Sequence, residues 1–172
     1  MNTKNLLLWA SLAFAMPMTA QTPQEDFKRD ITLSGSNYVA YRGPQKQLTP
    51  TPKGYKPFYL SHYGRHGSRF MIGNTAYDVP YFSLLKAKQE GKLTAKGEET
   101  LAKVKMIRDE AKGRDGELTP LGALQHQGIT RRMMERFPEI FAGNTNIEAR
   151  STLVIRCILS MENGLHQMLR MN

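Results

Sequence analysis

Apolar residues recur at helical spacing in four stretches of this chain and bunch into two short runs elsewhere. Tyr81, Phe82, Leu84 and Leu85 predict a helix over about 79–89. Pro80 fits a first helical turn and Gly91 ends the segment. Leu101, Val104 and Ile107, set among Lys and Glu, predict a second helix over 95–111, with Thr94 as its N-cap and Gly113 beyond its end. Thr119-Pro120 is a strong start signal for a third. Gly122, His126, Ile129, Met133 and Phe137 then share one face until Pro138 stops the run. A last helix runs from Ser151-Thr152 to the end of the chain, with Val154, Ile158, Met161, Leu165 and Met168 on a stripe. The two short runs, Phe58 to Ser61 and Asn146 to Ala149, read as strands. Before them, residues 21–56 are polar and broken by Gly43-Pro44 and Thr49-Pro50-Thr51-Pro52, which predicts an extended lead-in with little regular structure.

Strands alternating with helices predict an α/β layered fold with parallel strands. Two strands make a marginal sheet, and a parallel sheet needs both faces covered. The last helix has no C-terminal glycine or proline, so the expectation is a fold cut off before it is complete.

The N-terminus bears on compartment. A short positive head, Met1 to Asn5, precedes an apolar core from Leu6 to Met16 and a small residue, Ala20, at the expected cut. Residues 1–20 therefore read as a secretory signal peptide, too short to span a bilayer, and predict a secreted or periplasmic protein with no stable membrane span after cleavage. One cysteine, Cys157, excludes an internal disulfide framework and reads as a small buried hydrophobe. The net charge of +9, from 24 Lys and Arg against 15 Asp and Glu, favours an anionic partner. Nucleic acid, an anionic membrane face and a polyphosphorylated small molecule all fit it. Export, and the lack of an aromatic-basic platform, argue against nucleic acid.

The chemistry concentrates after the first predicted strand, in His62-Tyr63-Gly64-Arg65-His66-Gly67-Ser68-Arg69. Two guanidinium groups, whose planar forks suit phosphate, flank one imidazole, and the glycines let the backbone bend and approach a ligand closely. Such a turn standing alone is ordinarily a solvated surface feature. His62 and His66 at i, i+4 would make a metal pair only on a helix, which Gly64 and Gly67 oppose; no metal or cofactor is expected. His126, on the apolar stripe of its helix, reads as a satisfied core histidine. Arg131, Arg132 and Arg136 read as surface residues.

Arg65-His66-Gly67-Ser68-Arg69 resembles the signature of the histidine phosphatases, in the branch of histidine acid phosphatases and phytases. Leu118-Thr119-Pro120-Leu121-Gly122 with Gln125, His126 and Gly128 is similar to the helix that follows that signature. Ser151 to Arg156 resembles the segment carrying a third pocket arginine. The run from Tyr59 to Phe70 looks most like bacterial multiple inositol polyphosphate phosphatases, and the likeness covers about residues 55–170. It implies a three-layer, phosphoglycerate-mutase-like parallel sheet flanked by helices, formed by residues 57–172 as the N-terminal part of the domain. It implies a phosphomonoesterase acting on inositol polyphosphates such as phytate, with His66 as the nucleophile that becomes a phosphohistidine and Arg65, Arg69 and Arg156 holding the phosphate. Two departures stand out. Met71 occupies a position usually held by proline, and no His-Asp or His-Ala-Glu pair, which brings the family's proton donor, occurs in the chain. The alternative expectation is a truncated, inactive or phosphate-binding remnant.

Overall fold

The structure, a computed structural model, describes residues 22–172, apart from the side chains of residues 36–38. The signal-peptide expectation for residues 1–20 lies outside the described residues. The chain divides into two units, one ending at Ala40 and one comprising Tyr41–Asn172.

The described part of the first unit is helical where the sequence predicts an extended lead-in. Helix α1 (Pro23–Arg29) starts from a capping box: Thr22 Oγ1 accepts from the Glu25 amide, and the Glu25 carboxylate accepts from the Thr22 amide. Pro23 at the first position has no N–H that needs a partner. A 3-10 helix, Ile31–Tyr38, follows, opened by Asp30, whose carboxylate accepts from the Thr32 amide and hydroxyl. The Thr-x-x-Glu signature was present in the sequence and predicts this start.

The second unit contains α2 (Thr75–Gln89), α3 (Ala95–Ala111), α4 (Pro120–Arg136), the short α5 (Pro138–Phe141) and α6 (Ile155–Met171). No strand and no sheet occur among the described residues, so the parallel α/β architecture expected from the sequence is corrected to an all-helical one. The reason is one of pairing. A strand leaves its backbone groups unpaired unless a neighbour lies beside it, and neither 58–61 nor 146–149 has one. Phe58 is 94% exposed. The extended pairing that does form joins segments not read as strands. The Thr119 amide donates to Ser68 O (2.9 Å), the Phe70 amide to Glu117 O (2.9 Å) and the Gly116 amide to Met71 O (3.1 Å). Together they make a single antiparallel bridge, Arg69 to Leu118.

Helix α2 packs on α3, and α4 packs on α6. Helix α2 starts four residues earlier than predicted, because Tyr77 is buried and its hydroxyl accepts from the Met71 amide at 2.8 Å. Pro80 therefore lies inside the helix rather than in its first turn. Arg108 of α3 reaches back to α2, donating to Asp78 at 2.6 Å and lying over the rings of Tyr81 and Phe82. The α4–α6 seam is built from small and polar residues. Thr130 and Ser160 are 3% and 2% exposed, Gly164 is buried, and Gln127 donates to Asn163 at 2.8 Å. A Cβ on Gly164 would stand 3.0 Å from Thr130 Oγ1, which shows how closely the two helices approach. Helix α6 starts at Ile155 with Val154 as its N-cap, so Ser151-Thr152 does not cap it.

Candidate functional site

Two helices meet the turn 65–69, and α4 supplies most of the hold. Thr119 caps α4 by accepting from the Gly122 amide at 3.1 Å, and its hydroxyl proton goes to Ser68 O at 2.9 Å. Gln125 Oε1 accepts from the Ser68 amide at 2.8 Å. His126 Nε2 donates to Arg65 O at 3.1 Å; a carbonyl only accepts, so this nitrogen carries the proton. Between these anchors Gly67 and Gly122 meet backbone to backbone. A Cβ on Gly67 would lie 2.3 Å from Gly122 O, and one on Gly122 would lie 2.2 Å from Ser68 O. Both positions therefore require glycine. The predicted face of α4 thus serves the turn at its first half. At its second half, Met133 and Phe137 join Ile140, Pro57 and Tyr59 to His62 around an open cleft of about 380 Å³. That cleft does not include His66.

Helix α6 holds the same turn through one side chain. Ser160 Oγ accepts from the buried Gly67 amide at 3.1 Å and donates to Arg156 O at 2.7 Å. The turn 65–69 and the turn of α6 that carries Arg156 are thereby joined across 93 residues of sequence.

His66 is half-buried, and its Nδ1 lies 2.8 Å from Gly67 O. That bond needs a proton on Nδ1, so the neutral ring presents a free lone pair on Nε2. Arg65 is exposed at the start of the turn. Arg69 is half-buried; Nη1 donates to Phe70 O at 2.8 Å, and Nε is buried without an acceptor. Arg156, second residue of α6, has its Nη1 against Gly116, 3.2 Å from where a Cβ would stand, and its Nε is likewise unmet. None of the three forms an ion pair among the described residues, although other arginines, such as Arg108 and Arg114, do. Buried guanidinium donors without acceptors are costly, and an anion at the same fork offsets that cost. His62 is exposed, with its Nε2 turned back over Gly64.

His126 differs from its sequence reading in what satisfies it. It is half-buried, and its partner is the backbone carbonyl of Arg65 in the turn 65–69. Burial pushes its pKa below the ordinary value, the Arg65 carbonyl pulls it back in part, and His62 and His66 add to the depression. Ser160 was not singled out by sequence at all. It is one serine beside the apolar stripe of α6, and its partner is too distant in sequence to be signalled.

No protein-family model matches this chain, and no curated protein matches it. Among the described residues no helix is long and apolar enough to cross a membrane, and no group of three or more His, Cys, Asp or Glu is placed to hold a metal ion.

Proposed function

We propose that this chain is an exported phosphomonoesterase of the histidine acid phosphatase type, acting on inositol polyphosphates through a phosphohistidine at His66. The observation that carries the reading is the His66 imidazole, held through Nδ1 by Gly67 O in a turn whose arginines have no carboxylate partners. In the proposed reaction Nε2 attacks phosphorus and the P–O bond to the inositol oxygen breaks. Arg65, Arg69 and Arg156 bind the non-bridging oxygens and stabilise the charge that spreads over them in the transition state. The leaving alkoxide takes a proton, and water then attacks the phosphohistidine to release phosphate and restore the ring. The +9 charge suits a polyanionic substrate.

A specific observation favours the second reading, a phosphate-binding chain with little turnover. No carboxylate among the described residues bonds to the turn 65–69, so the leaving group has no placed acid. General acid help is worth about 10²–10⁴-fold. Phosphate release from phytate, with acid-quench detection of phosphohistidine by mass spectrometry, separates the two. A phosphorylated His66 in the unaltered chain, absent in His66→Ala, supports the enzyme. Phosphate binding without either phosphohistidine or release supports the binding chain, and no binding of phosphate or phytate overturns both.

A further inference from the structure

We infer that Ser160 is a positioning residue that sets the His66 ring; its geometry stands independently, and its consequence for catalysis rests on the phosphatase reading above. A serine inside a helix commonly turns its hydroxyl back to the carbonyl four residues earlier, and Ser160 does so with Arg156 O at 2.7 Å. Ordinarily the oxygen's lone pairs then face water. Here the side chain is 2% exposed, and the oxygen accepts from the Gly67 amide at 3.1 Å. Both hydrogen-bonding roles of the hydroxyl are therefore filled inside the protein.

Gly67 is the residue whose carbonyl holds His66 Nδ1. Pinning its amide fixes the peptide plane that joins it to His66, and so sets how the His66 Cα and ring stand relative to the Gly67 carbonyl. A glycine needs such a restraint more than any other residue, because its own φ/ψ preference is weak. On the other side, α4 holds the next peptide plane, the one that carries the Gly67 carbonyl, because Gln125 Oε1 accepts from the Ser68 amide in that unit; Ser160 fixes the plane that α4 leaves free. Apart from that bond, α4 meets Gly67 at the close contact with Gly122. Ser160 is thus the one hydrogen-bonding side chain on Gly67 besides His66 itself, among the described residues. The same hydroxyl bonds the carbonyl of Arg156, so it registers the proposed nucleophile against a proposed phosphate ligand.

The test is the tautomer of His66, read by ¹⁵N NMR of the imidazole in the full chain. The unaltered protein is expected to show a protonated Nδ1, and Ser160→Ala to shift population toward the Nε2–H form. If the chain turns over phytate, Ser160→Ala lowers kcat by about 10²-fold, as misplacement near a reacting group does, with KM changed by less than about threefold. Gln127→Leu, which removes another α4–α6 bond far from the turn, serves as the control: it lowers stability and leaves the tautomer unchanged. An unchanged tautomer in folded Ser160→Ala overturns the inference. So does fast exchange of the Gly67 amide in the unaltered chain, a measurement that holds even if the variant does not fold. Absence of turnover in the unaltered chain counts against the phosphatase reading alone, since the tautomer still decides the role of Ser160.

Discussion

At the scale of single residues, His126 links acidity to stability. Its folded-state pKa lies below the ordinary value of 6.5, first because of burial. A depressed value means that the unfolded chain binds the proton more readily, so stability rises with pH across the interval between the folded value and about 6.5. The contribution is complete above that interval and is lost as the pH falls through it. Urea midpoints measured in steps from pH 7.5 to 5 are expected to fall, and His126→Gln to flatten the fall while keeping a donor for Arg65 O. An equal slope in the variant would show that some other group carries the dependence. The residue's place in the fold was legible only in part. Its position on the inward face of α4 followed from spacing, whereas its partner, the Arg65 carbonyl, lies 61 residues away. The roles of Gly67 and Gly122 were half legible in the same way: glycine announces a close approach without naming what approaches.

Among the helices, caps decide how well the boundaries can be read. Helices α3 and α4 run within one residue of their expected limits because Thr94 and Thr119 are both N-caps whose side chains accept from an amide three residues on. Helix α6 has no side-chain cap, and its start was placed three to four residues too early. The two caps differ in what else they hold. Thr94 is exposed and serves its own helix alone, whereas Thr119 also donates to Ser68 O. Thr94→Ala is expected to cost about 1 kcal/mol, the usual worth of an N-cap. Thr119→Ala is expected to cost about 1–3 kcal/mol, because the anchor to the turn goes with the cap. Chemical denaturation of both variants checks the order; equal losses would mean that the Ser68 bond contributes nothing. The strands were misread for a different reason. Phe58 to Ser61 and Asn146 to Ala149 have strand composition, but composition does not supply a neighbour, and pairing went to 68–71 and 116–119, where Thr119 and Gly122 already hold the backbone close.

Over the whole described chain, little apolar surface is fully sequestered. The buried apolar residues of the helical unit are Tyr77, Leu101, Ala111, Leu118 and Met134, while Phe58, Tyr63 and Leu153 are almost wholly in solvent. Exposed residues of this kind add little to stability, because they lose little water-facing area on folding. They do raise the tendency to associate. The double variant Phe58→Ser, Leu153→Ser is expected to change unfolding free energy by less than about 0.5 kcal/mol and to lower concentration-dependent light scattering. A large loss of stability would place these side chains in a core. The overall class was the part of the fold least legible in the sequence. Four of the helices were foreseen, but the layer meant to lie between them depended on long-range pairing that no local pattern reports.

The bond between Ser160 and Gly67 has a consequence for how the site assembles. Local turns and helices close first, and contacts between distant parts of a chain form later because they must first overcome the entropy of closing a long loop. The bonds of the turn 65–69 to Thr119, Gln125 and His126 close loops of 51, 57 and 61 residues, and the bond from the Gly67 amide closes one of 93. The orientation of His66 therefore depends on the docking of α6 as well as on the turn's own contacts with α4.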